Sequence, residues 1–405
     1  MNNMFDINQF IKTYVTKRDD ILFKEDISNN KDNLYDSIYG KSLLVIGGAG
    51  SIGSNFIKCI LPFQPKSLIV VDTNENALAE LTRDLRSCCG LYIPDDYIPY
   101  PLSFSDLIFE KIFRKRKGFD IIANFSAHKH VRSEKDIFSV EALFQNNALK
   151  LWQFMDLLTD YPPERFFCVS TDKATNPVNI MGASKKIMED IVFSYSDKCN
   201  VNTARFANVA FSNGSLPAGF LKRISKRQLI AAPDDVWRYF VSPEESGEIC
   251  MLACMLGNNR EVFFPKLDAS QMITFSDIAE NLLFSLGYKP VRYESAEEAI
   301  KAAVLIGQSN NEYPVFFSKS DTTGEKKYEE FYTEREVVDL DRYNTLGVIR
   351  DIKPVNRDTI KTVLDKFYKA FSDANTTKED IVKILHSYLP NFEHIEKEKN
   401  LDSKI

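Results

Sequence analysis

Histidine is scarce in this chain. Four occur among 405 residues (His128, His130, His386 and His394), and none stands at zinc-site spacing from a cysteine, which excludes the familiar structural zinc modules. Cysteine is little commoner: seven residues, an odd number, with no C-x-x-C pair. That gives no disulfide framework and suits a reducing cytoplasm. No apolar run approaches the ~18 residues of a membrane-spanning helix. The opening MNNMFDINQF has neither the basic nor the apolar stretch of a secretory signal. A net charge of −6 leaves no basic excess for a nucleic-acid backbone. Repeats and low-complexity blocks are also missing. What remains, 44% hydrophobic and 27% charged, is expected to be a globular cytoplasmic protein without metal, nucleic-acid partner or membrane insertion.

Residues 1–40 are polar and carry the breaker-rich SNNKDN, so FDINQFIKTYV predicts a short helical arm followed by a linker. From 41 the texture changes. SLLVI (42–46), SLIVVD (67–72), FDIIANFSA (119–127), RFFCVST (165–171) and NVNTARF (200–206) are short, apolar or β-branched, and bounded by turn residues, the pattern of buried strands. Helical patterns such as NALAELTRDLRSC and VEALFQNNALKLWQFMDLL lie between them. Strand–helix alternation at this length predicts an α/β fold, a Rossmann-type doubly wound parallel sheet over 41–210. Residues 211–345, where the alternation becomes irregular, are expected to be mainly a smaller substrate-binding subdomain with returns to the sheet. Residues 346–405 are expected to form a C-terminal helical segment ending in the charged tail EHIEKEKNLDSKI, which frays.

The first strand runs straight into GGAGSIG, placing Gly47, Gly50 and Gly53 three apart, with Ser51 and Ile52 opening the next helix. Glycine lets the turn tighten and the backbone approach a pyrophosphate, which then sits on the helix N-terminus. A glycine trio alone often marks only a tight turn. Here a second strand follows and ends in Asp72, 19 residues past Gly53, where a carboxylate can bind both hydroxyls of an adenosine ribose. Because it repels a 2′-phosphate, NAD is expected rather than NADP.

RFFCVST ends in Thr171, followed by Asp172 and Lys173, and in an open α/β sheet that end faces the ligand crevice. The bland reading of these residues is a capped turn with two solvated charges. Beyond the Asn176-Pro177 break, Met181 and Lys185 lie four apart and share one helical face. A short-chain dehydrogenase would hold the tyrosine of Tyr-x-x-x-Lys where this chain has Met181. A thioether transfers no proton, so methionine is read as a packing residue and its neighbours handle the protons.

GGAGSIG, SAHKHV (126–131), STDKATNPVNIMGASKK, RFANVAFSNGS (205–215), RYFVSPEES (238–246) and GEKKYEE (324–330) occur in the order found in the extended short-chain dehydrogenases. The chain resembles the polysaccharide-biosynthesis group of UDP-N-acetylglucosamine 4,6-dehydratases. Within it, Met181 resembles the configuration-retaining branch that replaces the tyrosine with methionine, here without the N-terminal membrane region many of its members carry.

The resemblance implies an NAD-dependent dehydration of a nucleotide sugar to its 4-keto-6-deoxy form, for surface glycans, by a homo-oligomer. It implies that Asp172 is the general acid and Lys173 the general base, with Thr171 and Lys185 serving the 4-hydroxyl and the cofactor. Ser126 and Ala127 would line the cofactor; Lys129, His130, Asn208, Arg238 and Glu325 would meet the sugar or its diphosphate. Two positions depart from the family: Leu102-Ser103 for Gly-Asp in the loop near adenine, and Thr322-Thr323 for Arg-Pro before the GEKKYEE stretch.

A lysine base must be neutral, so the amine is expected to fall below its ordinary value of ~10.4 through burial, NAD⁺ and Lys185. Burial is expected to raise the carboxyl of Asp172. A 4-epimerase or 4-ketoreductase would leave an Asp-Lys pair superfluous, and a non-catalytic NAD- or sugar-binding protein would not need TDK and Lys185 together. KIFRKRKG (111–118) is read as a solvated helix end, Cys250 and Cys254 as buried thiols, and His386 and His394 as surface residues.

Overall fold

Five of the sheet strands form where apolar or β-branched runs sit between turn residues: β1 (Ser42–Ile46), β2 (Ser67–Asp72), β4 (Ile121–Asn124), β5 (Arg165–Val169) and β6 (Asn200–Ala204). Four others complete the main sheet: β3 (Asp96–Pro101), β7 (Glu261–Pro265), β8 (Val337–Asp339) and β9 (Leu346–Arg350). The computed structural model describes residues 5–129, 134–307, 311–320 and 329–394. The nine-stranded sheet has the order β8-β9-β7-β6-β5-β4-β1-β2-β3. From β3 to β7 every pairing is parallel, while β9 joins β7 and β8 joins β9 antiparallel. This is a doubly wound, Rossmann-type sheet. Its central strands bury both faces, which is why they read as continuous apolar runs rather than alternating ones.

Strand order reverses between β1 and β4, which pair in parallel with Ile46 beside Asn124. Such a reversal opens a crevice past the carboxyl ends of the strands, because the connections leave on opposite faces. On one side, helix Ser51–Ile60 packs against helix Pro243–Leu256. Gly247 permits the contact, since a Cβ there would lie 2.5 Å from the Asn55 carbonyl carbon. On the other side, helix Ile180–Ser194 is buried along almost its whole length. Helices Arg357–Ser372 and Lys378–Tyr388 cover it, the first stacking Phe367 on Phe144, the second placing Tyr388 Oη 3.1 Å from Asp190 Oδ2.

A separate three-stranded parallel sheet, Lys289–Arg292, Glu312–Ser318 and Ile230–Pro233, carries its own apolar core. Phe10, Ile11 and Val15 from the N-terminal arm enter that core. The stretch expected to be a linker is instead helical and packed: Phe23, Leu34 and Ile38 sit fully buried against the main sheet. Two ties hold it. Asp26 accepts the backbone N–H groups of Asn344 and Thr345, and Arg18 pairs with the buried Glu245 at 2.6 Å. Among the described residues no helix is long and apolar enough to cross a membrane.

Candidate active site

The glycine turn after β1 is shaped by contact with the end of β4. Gly47 has φ +70°, and a Cβ there would lie 2.7 Å from the Ser126 nitrogen and 2.9 Å from the Phe125 carbonyl carbon. Only glycine takes that conformation in that space without strain. Gly53 lets the following helix sit on the turn, its ideal Cβ position being 2.5 Å from the Gly47 oxygen. Gly50 caps helix 51–60 without a side-chain bond, so the amides of its first turn, at Ser51 and Ile52, lie at the crevice. Ser51 Oγ accepts the Asn213 N–H at 2.9 Å, tying this helix start to the loop after β6. Asp72 accepts the Ala49 N–H at 3.1 Å and the Asn74 N–H at 2.9 Å, which fixes its carboxylate beside the glycine turn. Ser126 and half-buried Ala127 complete this wall, and Lys129 follows, exposed.

The second wall begins at the end of β5. Thr171 caps a short turn, and its Oγ1 donates to Asp172 Oδ1 at 2.6 Å. Lys173 Nζ lies 3.1 and 3.3 Å from the two Asp172 oxygens. The carboxylate is buried, with a side chain 3% exposed, while the Lys173 side chain keeps 27%. Gly182 on helix 180–194 makes room for this turn, as a Cβ there would sit 2.4 Å from the Lys173 carbonyl oxygen. Met181 is 1% exposed and packs in the core, with its N–H donating to Glu134 Oε1 at 2.8 Å. Lys185 is buried; its Nζ donates to the Val169 carbonyl at 2.8 Å, and burial pushes the amine down. Behind it, Arg205 and Glu189 form a buried pair at 2.8 Å, and Ser170 Oγ donates to the same carboxylate. Burial opposes the Glu189 charge, but Arg205 more than offsets it and holds the carboxyl low. Removing one partner from such a pair typically costs about 3–5 kcal/mol.

Asn208 and Arg238 meet at a residue that sequence reasoning missed. Glu329, 8% exposed, accepts Asn208 Nδ2 at 2.8 Å and the Tyr239 N–H at 2.9 Å, and lies 3.7 Å from Arg238 Nε. Burial, then Asp172, pushes its carboxyl up to about 7, against the pull of Lys173 and Arg238. The Glu329-Glu330 doublet was visible in the sequence, but nothing there said which carboxylate points inward.

The expectation for Lys173 needs correction in the free chain. Burial does oppose its charge, yet Asp172 and Glu329 outweigh burial and hold the amine above its ordinary value. His130 and Glu325 lie outside the described residues, as does the Thr322-Thr323 departure. At the other departure, Ser103 donates its N–H to Asp106 at 2.8 Å in a closed turn.

Residues 43–350 match the family described as polysaccharide biosynthesis protein. An uncharacterized membrane protein of Methanocaldococcus jannaschii is 29% identical over 80% of this chain and 95% of its own length. The probable polysaccharide biosynthesis protein EpsC of Bacillus subtilis is 27% identical over 79% of this chain, which spans only 50% of that longer protein. An inverting UDP-N-acetylglucosamine 4,6-dehydratase of Campylobacter jejuni is 22% identical over 68% of this chain and 80% of its own length. Among solved structures, Pen from Bacillus thuringiensis has a TM-score of 0.61 at 20% identity, covering 79% of this chain and 90% of its own. DesIV, a dTDP-glucose 4,6-dehydratase from Streptomyces venezuelae, has 0.53 at 19% identity, covering 72% and 87%. At these identities the structures speak for the fold.

Proposed function

The chain belongs to the polysaccharide biosynthesis protein family, and from that premise we propose that it is an NAD-dependent 4,6-dehydratase of a nucleotide-activated N-acetylhexosamine, UDP-N-acetylglucosamine first among the candidates. One observation supports this above others: a carboxylate and an amine in direct contact at the carboxyl end of β5, beside a threonine hydroxyl. Epimerisation at C4 would leave that pair without a task.

The residues around Gly47 fit a dinucleotide, because the backbone approach that a Cβ would fill and the fixed Asp72 carboxylate are the two features a ribose diphosphate needs. The chemistry a bound NAD supplies is reversible hydride acceptance, from C4 of the sugar and back to C6. We assign the proton work to the chain's own groups. Thr171 handles the 4-hydroxyl proton while C4 becomes a ketone, which acidifies H5. Lys173 takes H5, and Asp172 gives a proton to the departing 6-hydroxyl. Lys185 holds the nicotinamide ribose, and Asn208 and Arg238 hold the sugar diphosphate.

The resting contact makes this division economical. An ammonium 3.1 Å from a carboxylate oxygen can pass one proton across a hydrogen bond. That single transfer converts the ion pair into a neutral amine and a carboxylic acid, the two forms that elimination requires. The same reading places the enzyme in the cytoplasm, as a homo-oligomer supplying surface-glycan assembly; sedimentation of the purified protein tests the oligomer.

The decisive experiment incubates the protein with a panel of nucleotide sugars in deuterated water. Mass spectrometry should detect loss of one water and gain of one deuterium at C5 for a UDP-N-acetylhexosamine. Inversion at C4 without water loss would replace this assignment with an epimerase.

A further inference from the structure

Glu329, a buried carboxylate near the Asp172–Lys173 turn, has no part in that mechanism. Glu329 belongs to a segment that docks on the acid–base turn: Thr175 Oγ1 donates to the Phe331 carbonyl at 3.3 Å, and Asn176 Nδ2 reaches Glu330 Oε2 at 3.4 Å. Arg205 Nη1 also donates to the Phe331 carbonyl, at 3.1 Å. Three side chains, two from the turn after β5 and one from the end of β6, therefore fix this segment near Asp172 and Lys173. Glu329 itself accepts from Asn208 and from the Tyr239 N–H, with Arg238 Nε 3.7 Å away.

We infer that Glu329 is a positioning residue that joins the diphosphate-facing groups Asn208 and Arg238 to the Asp172–Lys173 pair and governs whether the Lys173 amine carries a proton. The role given to Lys173 rests on the dehydratase reading; the electrostatic link does not. Among the described residues, four charged or titratable groups face Glu329: Asp172 and Lys173 from the turn after β5, and Arg238 and Tyr239 from the segment 237–241. A carboxylate in this position favours the ammonium of Lys173, and its protonation releases that hold. Substrate phosphates arriving at Arg238 draw the guanidinium away from Glu329, and a carboxylate deprived of its cation binds a proton more readily. Diphosphate binding and the freeing of the base are thereby linked through one side chain.

Glu329→Gln keeps the shape and an acceptor for Tyr239 while removing the charge. Its effect is read without substrate by competitive acetylation: trace acetic anhydride at a series of pH values, with mass spectrometry of the peptide holding Lys173. The midpoint should fall by about one pH unit relative to wild type. An unchanged midpoint in a folded variant overturns the inference, whatever the protein does to sugars. If Glu329→Gln does not fold, Glu329→Asp, whose charge stands one methylene farther from its partners, should lower the midpoint by less; no movement there overturns the inference equally.

The pH profile of dehydration is the second readout, and its acidic limb should move down in step with the acetylation midpoint. A shifted midpoint in a protein that dehydrates no nucleotide sugar sustains the link and discards the dehydratase reading.

Discussion

A methyl group added to Gly47 would stand 2.7 Å from the Ser126 nitrogen, whereas two strands away, at the end of β5, the side chains are full-sized and what crowds is charge. The wall at Gly47 is backbone against backbone, and its tolerances are steric. The wall at the end of β5 holds Asp172, Lys173, Glu329 and Arg238 within mutual influence, and its tolerances are electrostatic. One side fails by losing its shape and the other by losing its protonation state. Mutations should therefore separate cofactor retention from chemistry.

The sharpest separation comes from Lys173→Met. It should fold and retain NAD, yet dehydration and solvent deuterium entry at C5 should fall by about 10⁴, the upper range for general acid–base help. Near wild-type turnover would remove Lys173 from the base role and collapse the contrast. Thr171→Val keeps the shape of the turn but not the hydroxyl that donates to Asp172. NADH formation in a single turnover should slow by about 10², the lower end of the same range. A normal burst would move the first proton to Lys185 and water.

On the steric wall, Gly47→Ala should cost about 1–3 kcal/mol from backbone strain alone. Thermal unfolding and the nucleotide released on denaturation report it, with NAD content falling alongside stability. The released nucleotide should be NAD; finding mainly NADP would refute the role given to Asp72. Smallest is Met181→Leu, a volume-conserving core swap worth less than ~1.5 kcal/mol that leaves most of the activity. A large loss of C4 oxidation there would mean the thioether does more than pack.

The two walls also differed in how legible they were. The glycine turn could be read because its parts are consecutive: a strand, three glycines and a helix within one short stretch. β1, β2, β4, β5 and β6 were equally plain, being buried on both faces. β3 was not, since DYIPYP carries two prolines and no apolar run. It lies at the sheet edge, where a missing N–H is tolerated. β7 and β8 fall where the alternation breaks down, and β9 opens the stretch from 346 that was expected to be helical, pairing antiparallel with both of them at the far edge. Glu329 escaped notice because its partner Asn208 is 121 residues away, a distance at which neither periodicity nor local spacing carries information. The raised amine of Lys173 went unforeseen for the same reason, as the second carboxylate comes from that distant segment.

The N-terminal tie has a consequence for synthesis. Asp26 meets backbone groups 318 and 319 residues later, and Thr175 meets Phe331 across 156. On a ribosome working at roughly 5–20 residues per second, the arm emerges first and waits on the order of tens of seconds for its partners. During that interval Phe23, Leu34 and Ile38 have only part of the surface they finally cover. The glycine turn and its sheet can assemble while the chain is still growing. The arm's clasp and the contacts of the Asp172–Lys173 turn close only with the late segments, so a nascent chain can shape its glycine turn well before the end of β5 acquires its distant carboxylate.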